Sequence, residues 1–222
     1  MEKSFFKKSI PTVATIGILF IIFVMIGYFL LSPTKRLPIY NPADVNPKLV
    51  DASVKHIRSN HKVGDFKLIN QNGDTITHND YADKIYVTDF FFTRCQTICP
   101  IMTTNMYDLQ EFFKKDSDVL FLSHSVTPII DSISVLRTYA DKKGVIDGKW
   151  NLVTGEKKHI YELARKSYFA VLEEGDGGVQ DFIHTEQFVL IDKKRQIRGF
   201  YDGTDKKEIQ RIQEDIKILK KE

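Results

Sequence analysis

Two kinds of apolar segment alternate from about residue 61 onward, and this alternation is what most constrains the fold. The runs "KIYVTDFFF" and "DVLFLSHSV" are apolar on both faces, as the central strands of a covered sheet are. Between them, apolar residues recur at helical spacing after Pro100, at Met102, Met106, Leu109 and Phe113. Strands that alternate with helices predict an α/β protein.

The remaining segments extend this pattern. "FKLINQNGDTITHND" has a turn at Asn72-Gly73 and predicts a hairpin. Helices are predicted over 131–142 and over "EKKHIYELARKSY", and "EQFVLIDKKRQIRGFYDG" predicts a strand, a turn and a returning strand. Thr204 is expected to start a last helix, whose apolar stripe comprises Ile209, Ile212, Ile216 and Leu219. Strands and helices in this order predict a thioredoxin-like α/β architecture.

An uncharged stretch, residues 10–31, follows the basic opening "MEKSFFKKS". As a helix it would span ~33 Å at ~1.5 Å per residue, which is enough to cross a bilayer core. The positive-inside rule then places residues 1–9 in the cytoplasm and the rest of the chain on the extracytoplasmic, or periplasmic, side. We therefore expect a single-pass, uncleaved anchor in the cytoplasmic membrane. A cleaved signal peptide is the alternative, but its apolar run is shorter and a small-residue cleavage site follows it.

The segment after this stretch, residues 32–60, contains most of the chain's seven prolines and predicts a semi-rigid linker. Residues 61–222 are then expected to form one domain with one core. The net charge of +3 is small and spread along the chain, so there is no basic stripe of the kind that nucleic-acid binding requires.

The chain's two cysteines, Cys95 and Cys99, come directly after the first buried strand. The carboxyl end of a central strand is where open α/β sheets have their sites. The helix that begins near Pro100, together with Arg94, would favour thiolates there. A structural disulfide would close a very short loop and so stabilise little. A redox pair and a metal site both remain, since the C-x-x-x-C spacing has one residue more than the C-x-x-C of dithiol oxidoreductases.

A metal site requires a further ligand, and His184 is the best candidate among the histidines. It precedes a strong strand, and in a thioredoxin-like sheet the loop that enters this strand packs against the cysteine loop. Thioredoxins carry a proline there, whereas this chain has none after Pro128; an imidazole in its place could face the two sulfurs. His124 ends a buried strand and is expected to be structural. The others, among them His61, are expected at the surface.

Three segments together resemble the Sco/SenC family, the membrane-anchored copper proteins that serve assembly of cytochrome c oxidase. They are "FFFTRCQTICPIM", "SVTPIIDS" and "IHTEQFVLID", and the resemblance covers roughly residues 63–220. It implies copper, as Cu(I) and Cu(II), bound by Cys95, Cys99 and His184, with Asp131 nearby as a supporting residue that is not a ligand. From its position alone, Asp131 could instead cap the helix that follows it. The chain departs from many relatives at Gln96, where they have proline.

The chemistry of the ligands agrees with copper. Two thiolates select Cu(I), and an added imidazole suits Cu(II). Zinc is a rival for these residue types, but a structural zinc site normally has four protein ligands. Met102 and Met106 share the apolar stripe of their helix and are expected in the core rather than at the metal.

Together with the apolar stretch 10–31, the resemblance implies a membrane-tethered metallochaperone that delivers copper to the binuclear copper centre of cytochrome c oxidase. Its expected partners are the copper-centre subunit of the oxidase and a thiol-disulfide reductant or another copper carrier. The enzymatic alternative is a thiol-disulfide reductase that keeps the oxidase's copper-site cysteines reduced, with Cys95 and Cys99 forming the redox-active disulfide. A redox or copper sensor is a third alternative.

Overall fold

The structure is a computed structural model that describes residues 3–31, 35–46, 50–51, 53–171, 175, 177–178 and 180–222. Pro33 and Pro47 of the predicted linker lie outside these residues. The chain divides into two compact units, residues 1–36 and 37–222. The first unit contains helix α1 (Lys3–Leu31). The large apolar side chains that the structure describes in this helix, between Ile16 and Leu31, are exposed. Over the residues described, none of the helices has both the length and the apolar character needed to cross a membrane.

In the second unit, the described residues form one seven-stranded sheet with the order β2-β1-β5-β4-β3-β6-β7. The strands are β1 (Lys67–Asn70), β2 (Thr75–Thr77), β3 (Ile85–Phe91), β4 (Val119–Ser125), β5 (Trp150–Thr154), β6 (Gln187–Ile191) and β7 (Ile197–Asp202). The central pairs β3–β4 and β4–β5 are parallel, and the outer pairs are antiparallel. The helices of this unit are α2 (Cys99–Phe112), α3 (Ile133–Lys143), α4 (Lys157–Glu162) and α5 (Lys206–Leu219).

Strand β3 is buried along its whole length, and its side chains alternate between two cores. Tyr86 and Phe90 enter a cluster that also contains apolar residues of α4, whereas Ile85, Val87 and Phe91 enter a cluster with α2, α3 and α5. Helices therefore cover both faces of the sheet, which explains why this strand is apolar on both faces. The α/β prediction is confirmed.

Helix α2 begins at Cys99 and has a proline in its first turn, where the missing N–H leaves no hydrogen bond unmade. Met102 and Met106 are fully buried in the second core cluster, so their predicted packing role is confirmed. Trp150 is also buried there, and its indole N–H donates to the Ser123 hydroxyl at 2.9 Å.

Two local expectations differ from the structure. The last helix begins at Lys206 rather than Thr204: Asp205 is its N-cap and accepts from the Lys207 N–H, while the Thr204 hydroxyl donates to Asp202. His61 was expected at the surface but is only 8% exposed. Its Nε2 lies 2.9 Å from the Ser167 carbonyl oxygen, because residues before the first strand pack onto the α4 side of the sheet.

Part of the segment predicted as a linker also packs onto the second unit. Leu37, Val45 and Val50 are buried in its two core clusters. Tyr40 forms an isolated antiparallel bridge with Ile197 of β7. These contacts explain why the compact unit begins at Leu37.

Candidate metal centre

The two cysteines lie together in and after the loop that connects β3 to α2. Cys95 is half-buried in the loop, and Cys99, the first residue of α2, is 2% exposed. Both are free thiols. The backbone N–H of Cys99 donates to the Cys95 sulfur at 3.4 Å. This N–H is available because the first N–H groups of a helix have no partner within the helix.

The hydrogen bonds around the sulfurs separate the acidities of the two thiols. Burial alone would raise the pKa of Cys95, but bonds from the thiol and N–H of Cys99 and from Thr97 outweigh it and lower the pKa from 9.0 to about 6. Burial raises the pKa of Cys99 to about 12, and its bond to the Cys95 sulfur acts in the same direction. The site therefore contains one thiolate and one thiol at neutral pH.

The lowered pKa of Cys95 agrees with the expected thiolate, but its cause differs in part from the expected one. The helix N-terminus contributes through the Cys99 N–H, as expected. The other donors are the Cys99 thiol and Thr97 rather than Arg94, whose side chain is exposed.

Asp131 is fully buried in the turn between β4 and α3, where it connects this turn to the cysteine loop. Its Oδ1 accepts from the Thr93 hydroxyl at 2.5 Å, and its Oδ2 accepts from the hydroxyls of Ser125 at 2.6 Å and Thr127 at 2.9 Å. The N-cap position of α3 belongs to Ser132, so the capping alternative for Asp131 is wrong. The carboxylate instead fixes the start of the loop that carries Cys95.

His184 lies just before β6, exposed, at the edge of the cysteine loop. Its ring centroid is 6.2 Å from that of Phe92 and 6.5 Å from that of Phe182, with which it is stacked. Phe92 begins the cysteine loop and accepts the Cys95 N–H at 3.3 Å. Within the described residues, no group of three His, Cys, Asp or Glu side chains is arranged to hold a metal ion. The structure thus brings the two sulfurs together and leaves the imidazole outside them, so its ligand role stays a prediction.

His124 is structural, as predicted. It is fully buried, stacks on Phe90 at 4.8 Å between ring centroids, and has its Nδ1 3.1 Å from the Thr88 hydroxyl. Burial lowers the pKa of its imidazole to about 3, so it is neutral at physiological pH.

Asp89 is a buried acid near the site that sequence reasoning missed. It lies on β3, and strand alternation directs its side chain to the same face as Phe91 and therefore toward the core cluster that contains Cys99. Burial raises the pKa of its carboxyl to about 7, against a hydrogen bond with Ser123 that lowers it. A signal for it was present, because Asp89 is the one charged residue in the otherwise uncharged run "IYVTDFFF".

The donor set fits a soft metal ion. Two adjacent sulfurs, one of them already a thiolate, are the ligands that Cu(I) prefers. Binding would release the proton of the second sulfur, because metals coordinate thiolates. A structural zinc site normally has four protein ligands. Within the described residues, no such set of ligands surrounds these sulfurs.

A parallel central strand, a two-cysteine loop at its carboxyl end and a helix that begins at the second cysteine define a thioredoxin-like protein with a dithiol site. This class includes both redox and metal-binding members.

The chain belongs to the SCO1/SenC family, because residues 54–220 match the model of that family. It is 32% identical to the SCO1 protein homolog of Bacillus subtilis over 160 residues, which cover 71% of this chain and 82% of that protein. It is similar to the solved structure of BsSco, described as a member of the Sco family of cytochrome c oxidase assembly proteins, with 31% identity, a TM-score of 0.62 and coverage of 72% and 94%. It also shares its fold with copper-bound ScoI of Bradyrhizobium japonicum, with 21% identity, a TM-score of 0.57 and coverage of 72% and 99%.

Proposed function

We propose that this protein is a membrane-anchored copper chaperone that delivers copper to the binuclear copper centre of cytochrome c oxidase during assembly. The observation that carries the proposal is the pair of adjacent free sulfurs at the carboxyl end of β3. Membership of the SCO1/SenC family supports it, as does the description of BsSco as a cytochrome c oxidase assembly protein.

Copper is the cargo in this proposal, and Cys95 and Cys99 are its primary ligands. Two thiolates are sufficient for Cu(I), whereas Cu(II) also requires a harder donor, which His184 supplies by turning its imidazole away from Phe92 and Phe182. Asp131 contributes by holding the loop through Thr93, so that the sulfurs keep one spacing with and without metal.

In this proposal the uncharged stretch 10–31 is the membrane anchor, and the copper-binding domain lies on the extracytoplasmic side. The charge pattern supports this topology, because lysines precede the uncharged stretch and place residues 1–9 in the cytoplasm. The compact unit that starts at Leu37 is then the copper-binding domain. The partners are the copper-centre subunit of the oxidase and a thiol reductant or second copper carrier that reloads the site.

A thiol-disulfide reductase is the second candidate, and the unequal acidities of the two cysteines favour it. The Cys95 thiolate would attack a disulfide of the partner and displace one partner thiolate. Cys99, after losing its proton, would then attack the mixed disulfide and release the second. The partner's disulfide is thereby reduced, and Cys95 and Cys99 are oxidised to a disulfide.

Copper binding by the full chain in detergent separates the two candidates. We expect one copper per reduced chain, loss of tight binding in Cys95→Ser and Cys99→Ser, and a larger effect of His184→Ala on Cu(II) than on Cu(I). The exposed His56 gives a matched control, His56→Ala, which should bind both ions like the wild type.

The same variants should be tested for oxidase activity in cells, where added copper should partly restore the His184 variant. If His184→Ala binds Cu(II) normally and supports full oxidase activity while the cysteine variants do not, the chaperone proposal fails and the reductase replaces it.

A further inference from the structure

Asp181, three residues before His184, belongs to a buried ion pair. The guanidinium of Arg165 donates to the carboxylate of Asp181 through two parallel hydrogen bonds, each of 2.7 Å. Both side chains are 7% exposed. Because both hydrogen bonds must form at once, the pair fixes the orientation of the Asp181 carboxylate as well as its distance from the guanidinium.

The chain around Asp181 is built to hold its carboxylate. The Gly177 N–H donates to Oδ2 at 2.7 Å. A Cβ atom on Gly175 would collide with the same carboxylate, so a residue with a side chain there would displace Asp181 from its present position. Gly175 and Gly177 of "EEGDGGVQ" thus allow the backbone to approach this acid.

The backbone at Gly178 and Asp181 is held by Lys157 of α4. The Lys157 ammonium donates to the carbonyl oxygens of Gly178 and Asp181, both at 2.6 Å. Arg165 itself lies in a π-helical turn, Leu163–Ser167, which continues α4. Single π turns inside helices are frequent at functional sites, because the extra residue redirects a side chain.

Tyr161 connects this cluster to the residue that follows β4 and to the residue before His184. Its hydroxyl donates to the Val126 carbonyl oxygen at 3.0 Å, directly after β4, and lies 3.4 Å from the Ile183 N–H. On the other side of His184, the Thr185 hydroxyl donates to the Ala170 carbonyl oxygen at 2.7 Å. The backbone of His184 is therefore held on both sides, while its side chain is exposed beside Phe92.

We propose that Arg165 is a positioning residue for His184: by holding Asp181, it fixes the backbone from which the imidazole reaches the two sulfurs when Cu(II) is bound. This inference rests on the proposed function. Without the ion pair, the chain from Asp181 to His184 would have to be ordered each time the imidazole coordinates, and that loss of conformational entropy would weaken binding. Cu(I), held by the two sulfurs, would not be affected.

The test compares Arg165→Met with wild type in the reduced full chain, by competition titrations with Cu(I) and Cu(II) chelators. Loss of a group bonded directly to a metal ligand typically weakens binding by about 10- to 100-fold. Arg165 acts through Asp181 rather than on the imidazole, so we expect a Cu(II) loss near the lower end of this range. Cu(I) affinity should change by less than about twofold, because the thiolates are its preferred ligands. The absorption and EPR spectra of the Cu(II) form should shift toward those of His184→Ala.

Arg198→Met is the matched control. Arg198 forms a second buried ion pair with Asp192, with side chains 6% and 9% exposed, in the β6–β7 hairpin. Both variants should lose stability, but only Arg165→Met should lose Cu(II) affinity. Arg165→Lys keeps the charge without the bidentate geometry, so it should fold and show an intermediate Cu(II) affinity.

Three outcomes overturn the inference. Wild-type Cu(II) affinity in folded Arg165→Met, or in Arg165→Lys if the first variant does not fold, removes the positioning role alone. Equal Cu(II) losses in Arg165→Met and Arg198→Met show a general effect of instability. Wild-type Cu(II) affinity in His184→Ala refutes the ligand set of the proposed function, and the inference with it.

Discussion

Alkylation of Cys95 should follow a pH profile set by its low pKa. With a pKa of about 6, roughly nine tenths of Cys95 is thiolate at pH 7, against roughly 3% of an ordinary cysteine with a pKa of ~8.5. A thiolate of lower pKa is a weaker nucleophile, and a Brønsted coefficient of ~0.45 reduces its reactivity about 13-fold over this difference. The net gain is therefore only about twofold at pH 7, but about 20-fold at pH 5.5, where ordinary thiols are almost entirely protonated.

The assay is reaction of the reduced, metal-free protein with iodoacetamide between pH 5 and 9, with each site quantified by mass spectrometry. The Cys95 rate should reach half its maximum near pH 6 and then level off, while Cys99 stays unmodified until much higher pH. Thr97→Val should move the Cys95 midpoint upward, because it removes a hydrogen bond to the sulfur. Arg94→Ala is the control and should not move it. A Cys95 rate that still rises between pH 8 and 9, or faster labelling of Cys99, would refute the assignment of the thiolate.

Three further experiments test the site, and a fourth tests the topology. Asp131→Asn should lower the free energy of unfolding by about 1.5–3 kcal/mol, because buried hydroxyls lose a charged acceptor. Urea denaturation measures this, with Asp205→Asn at an exposed helix cap as the control. Equal losses of stability in the two variants would contradict the prediction. Met106→Ala should cost about 2–5 kcal/mol through a core cavity yet leave copper stoichiometry unchanged, and a loss of copper would instead indicate a thioether ligand. Cu(I) affinity should rise about tenfold per pH unit between pH 7 and 9, since only Cys99 still has a proton to release; a flat competition profile would contradict this. Protease added to intact cells should digest the domain and spare residues 1–9, whereas a mature N-terminus near Pro33 would show a removed signal peptide.

The sequence predicts those parts of the fold that depend on local patterns. Strand β3 and helix α2 could be predicted because apolar periodicity and Pro100 act within a few residues of chain. The cysteine pair could be placed because the end of a central strand is a recurring position for sites. The strand order was not predictable in the same way, since β1 pairs with β5 through contacts between residues that are far apart in the sequence.

The contacts that shape the site are also long-range. Asp131 could be selected by family resemblance, but its bond to Thr93 joins two separate loops and could not be derived from either of them. The pair of Arg165 and Asp181 depends on a π turn, which has no simple sequence pattern. The acidities of the two sulfurs depend on which donors face them, and the composition of the loop does not specify this.

The bond between Asp131 and Thr93 also ties copper capture to folding. The start of the loop that carries Cys95 is held by Asp131, and Asp131 is itself placed by the pairing of β4 with β3 and by the turn before α3. An unfolded chain does not hold the two sulfurs in this arrangement, so it should bind copper more weakly than the native state. Because copper then binds the native state in preference to the unfolded one, copper at about 100 times its dissociation constant would add about 2.7 kcal/mol to the stability of the native state. Loss of copper would make the same chain easier to unfold and degrade, so metal supply would control how long the protein persists.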